Sequence, residues 1–158
     1  MKITRFLTAA VATALFAMIG ITAAPSALAY PNVGKLGDEI TMTDTVGQVE
    51  LSWKVSNLQP SSDTIPGLPV YGKLWQADAT VKAIRGSVTP QIPNFNAVAP
   101  NQAAYRVLWQ AYTPQGISGA TIPPGQQSSG KIYFDVTGPP PTTVTLNNGM
   151  EDLMIWTP

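Results

Sequence analysis

The chain has 158 residues, with nine acidic and nine basic side chains, and it contains neither cysteine nor histidine. The missing residues exclude disulfides, thiol nucleophiles, Ser-His-Asp triads and zinc or haem sites built on cysteine or histidine. The sequence also lacks a lysine- or arginine-rich run, which argues against nucleic acid as a partner because phosphate binding needs clustered positive charge.

The amino-terminal residues have the pattern of an export signal. Two basic residues precede an apolar run over residues 6–21, and small residues follow at Ala27-Leu28-Ala29, as a signal peptidase requires. The run is short for a membrane span. We therefore predict cleavage between Ala29 and Tyr30 and release of a slightly acidic protein outside the cell, without stable membrane insertion.

The predicted organisation is a cleaved leader, residues 1–29, followed by one domain, residues 30–158. Along this domain apolar and polar residues alternate with a period of two, the pattern of strands with one buried face. The predicted strands cover 49–56, 75–83, 105–110, 131–136, 144–146 and 150–156, with a weaker strand over 39–45 and short pieces near 85–89 and 120–122. Asn147-Asn148-Gly149 predicts a hairpin turn between the last two.

No sustained helical stripe interrupts these strands, and most of the 15 prolines lie between them. The pattern therefore predicts an all-β fold, an antiparallel β-sandwich without a disulfide. Three long connections, residues 57–69, 90–104 and 113–130, are candidates for a contact surface, because such loops often carry binding residues. Their many prolines equally suit rigid packing connections.

The alternation also predicts which side chains face the core. Trp53, Trp75 and Trp109 fall on apolar faces and are expected inside, whereas Trp156 closes the last strand. If one tryptophan is exposed as a platform for sugars, this pattern favours Trp156. Two polar rows are expected to face solvent: Ser52 with Lys54, and Lys131, Tyr133 and Asp135.

Paired carboxylates are the catalytic scheme that the composition leaves open. Acidic residues cluster at Asp38, Glu39 and Asp44 and again at Glu151 and Asp152. A glycosidase needs two such groups across a cleft, and a calcium ion needs six to eight oxygen ligands. Ordinary surface charge explains these acids more simply. We therefore assign no catalytic, cofactor-binding or metal-binding residue.

Several strings in the chain are distinctive: TMTDTVGQV (41–49), AIRGSVTP (83–90), YRVLWQA (105–111), SGATIP and SGKIYFDVTG (within 118–138) and NNGMEDLMIW (147–156). In these strings the chain resembles the mycobacterial immunoprotective extracellular proteins, over essentially all of residues 30–158. The resemblance implies a small secreted antigen with an immunoglobulin-like antiparallel sandwich. It implies no catalytic residues, because no enzyme activity is established for that family.

Three functions remain open from the sequence. The favoured one is a secreted, non-catalytic binding module for a host cell-surface protein or a component of the cell envelope. The alternatives are a carboxylate-dependent hydrolase of envelope glycans and an inert, abundant extracellular antigen. Unpaired strand edges also invite association between chains, so we expect a monomer or a weak dimer.

Overall fold

Nine strands form two sheets that pack face to face, and one 3₁₀ turn precedes the fifth strand. The structure is a computed structural model that describes residues 31–158. The strands are β1 Asn32–Lys35, β2 Glu39–Thr43, β3 Glu50–Pro60, β4 Lys73–Arg85, β5 Phe95–Val98, β6 Ala104–Arg106, β7 Gln127–Val136, β8 Thr143–Asn147 and β9 Asp152–Thr157. One sheet has the order β1-β9-β8-β5-β6, and the other has the order β2-β3-β4-β7. The leader and the cleavage site at Ala29 and Tyr30 lie outside the described residues.

This architecture confirms the predicted all-β, immunoglobulin-like sandwich without a disulfide. Every strand pair is antiparallel except β1 with β9, which run parallel. Across residues 31–158 no helix has the length and apolar character needed to cross a membrane.

The period-two alternation places the core as predicted along the two longest strands. Val55 of β3 and Ala77, Val81 and Ala83 of β4 are fully buried, because residues two apart share one face of a strand. Both strands continue beyond the predicted segments, β3 to Pro60 and β4 from Lys73. The hairpin between β8 and β9 also forms as predicted, with Gly149 at a φ of 94° that suits glycine.

Three aromatic rings join the sheets at the centre of the sandwich. Trp53 of β3 meets Phe95 of β5 edge to face, with ring centroids 4.9 Å apart, and Phe95 lies 6.2 Å from Trp156 of β9. Trp156 is completely buried, and its indole Nε1 donates to the backbone oxygen of Asp38. The expectation that Trp156 is the tryptophan exposed for binding is therefore wrong, because β9 lies inside its sheet and turns this ring inward.

The sequence pattern did not predict two of the strands, β1 and β5. β5 lies within the predicted connection 90–104, directly after a 3₁₀ turn at Ile92–Asn94, and it pairs with both β6 and β8. β1 has only four residues, too few to show a period, and is held by its parallel pairing with β9. The predicted strand 105–110 is wrong beyond Arg106, where β6 ends.

Replacing Trp156 with alanine removes a buried ring and a hydrogen bond from the centre of the core. We expect Trp156→Ala to lower the free energy of unfolding by about 3–5 kcal/mol. Urea unfolding followed by circular dichroism measures this loss. The control is Met150→Ala, which truncates a side chain that is 93% exposed and should change stability by less than about 0.5 kcal/mol. Similar losses in the two variants would contradict the assignment of Trp156 to the core.

Candidate functional site

The chain crosses from one sheet to the other directly after β6. Val107 donates its backbone N–H to the backbone oxygen of Phe95 in the five-stranded sheet. It also forms an isolated antiparallel β-bridge with Phe134 of β7 in the four-stranded sheet. One residue later the backbone N–H of Leu108 donates to the backbone oxygen of Tyr133 at 2.7 Å. The strand geometry ends at this crossing, so the alternation that would bury Trp109 no longer applies. Trp109 is 55% exposed, and its predicted place in the core is wrong.

The following residues, 108–117, lie along the free edge of β7. The backbone N–H of Lys131 donates to the backbone oxygen of Gln115 at 2.7 Å, and the backbone oxygen of Lys131 accepts from the N–H of Ile117 at 3.1 Å. Gly130 allows this close approach, because a Cβ atom there would lie 2.4 Å from the nitrogen of Ile117. The loop therefore closes the sheet edge and is held in place by its backbone.

A groove opens between this loop, the 3₁₀ turn and β7, and we call it the aromatic groove. It has a volume of about 280 Å³ and is lined chiefly by Ile92, Trp109, Tyr112, Ile117, Lys131 and Tyr133. Tyr112 is 87% exposed, so two large rings from one loop lie at the groove with much of their surface in solvent. Two of the three connections proposed as a contact surface, 90–104 and 113–130, contribute lining residues.

An ionic cluster includes two residues that line the groove, Lys131 and Tyr133. One carboxylate oxygen of Asp63, in the connection after β3, accepts hydrogen bonds from the Lys131 ammonium at 2.7 Å and the Tyr133 hydroxyl at 2.8 Å. The hydroxyls of Thr113 and Tyr133 also lie 3.4 Å apart. These contacts join segments that are 68 and 70 residues apart in sequence, so the third long connection contacts two of the residues that line the groove.

The cluster shifts the protonation of its members. The hydrogen bond from Lys131, helped by the one from Tyr133, lowers the pKa of Asp63. The same carboxylate raises the pKa of Lys131 through their hydrogen bond. Burial is the main cause that raises the pKa of Tyr133. At neutral pH the cluster therefore holds a carboxylate, an ammonium and a neutral phenol.

Both predicted solvent-facing rows need correction. Tyr133 is only 1% exposed, because residues 108–117 and Asp63 cover this face of β7. Asp135 accepts the backbone N–H groups of Tyr71 and Gly72.

In the other row Ser52 is buried and donates to the side chain of Glu39, whereas its predicted companion Lys54 is exposed. Cross-strand pairing with β2 explains this burial, since Ser52 lies opposite Thr41 and near Glu39.

Two of the candidate carboxylates, Asp38 and Asp44, serve separate turns. Asp38 accepts the backbone N–H of Lys35, and Asp44 accepts that of Val49. Asp44 borders one shallow cavity and Asp152 another, and these two cavities share no lining residue. Within residues 31–158 no three acidic side chains lie close enough together to hold a metal ion.

The exposed rings could be found only indirectly from the sequence. The segment 105–110 is apolar on both faces at Leu108, which is unusual for a half-buried strand and signals a change of surroundings. Nothing in the sequence around Asp63 indicates its partners, because both lie on a distant strand.

Comparison with known proteins identifies close relatives. A family described as a domain of unknown function, DUF1942, matches residues 31–156. The immunogenic proteins MPB63 of Mycobacterium bovis and MPT63 of Mycobacterium tuberculosis are each 63% identical to the chain, over 100% of both sequences. These matches confirm the resemblance seen in the sequence strings.

Solved structures agree with the fold. The crystal structure of MPT63, described as a secreted protein from Mycobacterium tuberculosis, has a TM-score of 0.79 at 67% identity and covers 82% of this chain and 99% of its own. The yjhA protein from Bacillus subtilis has a TM-score of 0.52 at 15% identity, covering 75% of this chain and 83% of its own. The second likeness concerns the fold alone.

Gly130→Ala tests the edge closure that forms the groove. The added methyl group would overlap the backbone of residues 116 and 117, so we expect a loss of about 1–3 kcal/mol of stability. We also expect a shifted indole N–H signal for Trp109 in a ¹H–¹⁵N spectrum. The matched control is Gly119→Ala, whose methyl group would meet only a side-chain atom at 3.7 Å. An unchanged Trp109 signal in Gly130→Ala would refute this closure.

Asp63→Asn tests the ionic cluster through its dependence on pH. Because the folded pKa of Asp63 is lowered, its stabilising effect is present above the unfolded carboxyl value of about 3.9 and is lost as pH falls through the folded pKa. The pKa of Lys131 is raised in the folded protein, so the ion pair stabilises the fold fully below the unfolded lysine value of about 10.4. This stabilisation is lost as the pH rises from there through the folded pKa of Lys131. The urea midpoint of the native protein should exceed that of Asp63→Asn by a constant amount between about pH 5 and 9. A difference that grows on acidification would contradict the assignment.

Proposed function

The chain belongs to the family of the mycobacterial immunogenic proteins MPB63 and MPT63, and we propose that it is a secreted, non-catalytic antigen that works as a binding module through the aromatic groove. Two observations support secretion: the leader pattern of residues 1–29, from which we predict cleavage between Ala29 and Tyr30, and the description of MPT63 as a secreted protein. The printed names of the relatives support immunogenicity. The partner we propose is a molecule of the host cell surface or of the cell envelope.

The observation that carries the proposal is the exposure of Trp109 and Tyr112 at the groove. Burying a large side chain typically stabilises a fold by about 1.5–3 kcal/mol, and the sandwich does bury Trp53 and Trp156. Tryptophan and tyrosine are the residues most enriched among the strongest contributors to binding. Two such rings left exposed at one groove are therefore better explained by a partner than by the needs of folding.

The groove is also rigidly built, which favours binding. Its loop is fixed to β7 by backbone hydrogen bonds at Leu108, Gln115 and Ile117. The Asp63 cluster fastens the side chains of Lys131 and Tyr133 below it. A groove already in shape loses little conformational entropy when a ligand binds, so more of the contact energy appears as affinity.

The chemistry of the groove argues against catalysis. A lysine or tyrosine that acts as a base or nucleophile at neutral pH needs a lowered pKa, and a carboxyl group that acts as a general acid needs a raised one. Here the pKa of Lys131 and that of Tyr133 are raised, and that of Asp63 is lowered. Each shift is opposite to the one that such a role requires. The carboxylate-hydrolase alternative gains no support from the turn contacts of Asp38 and Asp44.

The double variant Trp109→Ala/Tyr112→Ala tests the proposal. Labelled protein comprising residues 30–158 is added to phagocytes and, separately, to isolated mycobacterial envelope, with unlabelled protein as competitor. We expect saturable binding to one of the two surfaces, weakened about tenfold or more by the double variant, because loss of two central aromatic contacts costs at least 1.4 kcal/mol.

The controls are Tyr71→Ala and Met150→Ala, which remove exposed side chains (84% and 93%) that do not line the groove. Both should bind as the native protein does. Equal weakening by the controls, or no competable binding to either surface, would reject the binding module and leave the inert-antigen alternative.

A further inference from the structure

We propose that the ligand of the aromatic groove is a short stretch of a neutral sugar chain, an inference that rests on the proposed function. The groove combines two exposed aromatic rings with the side chain of Lys131, whose ammonium is hydrogen-bonded to the carboxylate of Asp63. A sugar ring presents the same two characters, an apolar face of C–H groups and an edge of hydroxyls. The match between them is what identifies the class of ligand.

The rings supply the apolar half of the match. Trp109 and Tyr112 are three residues apart in one loop and are 55% and 87% exposed. An aromatic face is apolar and carries partial negative charge, so it attracts the slightly positive C–H groups on the face of a saturated sugar ring. Two rings on one loop would allow neighbouring sugars of a chain to stack in succession.

The charge of the groove argues for a neutral ligand. Lys131 is the one charged residue in its lining, and its ammonium is neutralised by Asp63 at 2.7 Å. The pair leaves no net charge to attract an anionic polymer such as a sulfated glycan or a nucleic acid.

The same cluster offers hydrogen bonds to hydroxyl groups. The Lys131 ammonium has three N–H donors, and among the described residues Asp63 accepts one of them. The side chains of Asp63 and Lys131 each remain 25% exposed, so water or a ligand reaches them. With a volume of about 280 Å³, the groove is near the lower limit of small-molecule sites, roughly 300 Å³. It therefore suits a few sugar units of a longer chain.

A proline-rich peptide is the competing class, since such peptides also dock in grooves lined by aromatic rings. Backbone carbonyl oxygens of such a peptide can accept from the Lys131 ammonium, but its proline residues have no N–H to donate to the Asp63 carboxylate. Sugar hydroxyls both donate and accept, so a sugar can bond to both members of this pair, each 25% exposed, while it stacks on the rings. A polyproline-type peptide is therefore included among the probes of the titration, and binding by it alone would favour the competing class.

A titration of ¹⁵N-labelled protein, residues 30–158, tests the ligand class directly. The probes are neutral oligosaccharides of two to six glucose, mannose, galactose or arabinose units, heparin as an anionic glycan, and a polyproline-type peptide. We expect at least one neutral oligosaccharide to shift the indole N–H signal of Trp109 saturably while that of buried Trp156 stays unchanged. Trp109→Ala should abolish binding of that oligosaccharide, and Tyr71→Ala should retain it. Shifts produced only by heparin or by the peptide, or by no probe at all, would overturn the inference.

A second arm separates this inference from the proposed function. Phagocytes and isolated envelope are each oxidised with periodate, which cleaves the vicinal diols of sugars, and are compared with mock-treated samples. Trp109-dependent binding that falls after oxidation supports the sugar, and the surface that responds identifies its source as host or envelope. Trp109-dependent binding that withstands oxidation and saccharide competition overturns the sugar and leaves the binding module intact. Absence of any Trp109-dependent binding overturns both.

Discussion

The contact of Trp53, Phe95 and Trp156 across the two sheets is the interaction on which the rest of the structure depends. A domain without cysteine has no disulfide between its layers, so side-chain packing must join them. These rings come from β3, β5 and β9, which are distant in sequence, and they meet at the centre of both sheets. The indole N–H of Trp156 also reaches the turn before β2, which ties the edge of the sandwich to its core.

The way the sandwich closes its β7 edge produces the groove. An open strand edge would invite pairing with other chains, and here residues 108–117 occupy it through hydrogen bonds to Lys131 and Tyr133. The loop that closes the edge also carries Trp109 and Tyr112 outward. A single stretch of chain therefore protects the sheet and presents the candidate binding surface.

The limits of the sequence pattern appear at particular residues. Alternation correctly placed Val55, Val81 and Ala83, because both of their strands are long and face one core. It failed at Trp109 because the chain changes sheets at Val107. It failed again at Tyr133, because alternation describes the two faces of a strand and cannot show that a distant segment covers the outer one. Short or proline-flanked strands such as β1 and β5 contain too few residues to show any period.

The amino-acid sequence by itself determined the fold class and the family. Local alternation and turn residues depend on neighbouring positions, and the family strings are read directly from the chain. Only the tertiary structure decided which aromatic rings are buried and which form the groove, and which partners Asp63 has. Those properties arise from contacts between residues as far as 70 positions apart. Such contacts exist only after the two sheets have packed and the loops have settled against their edges.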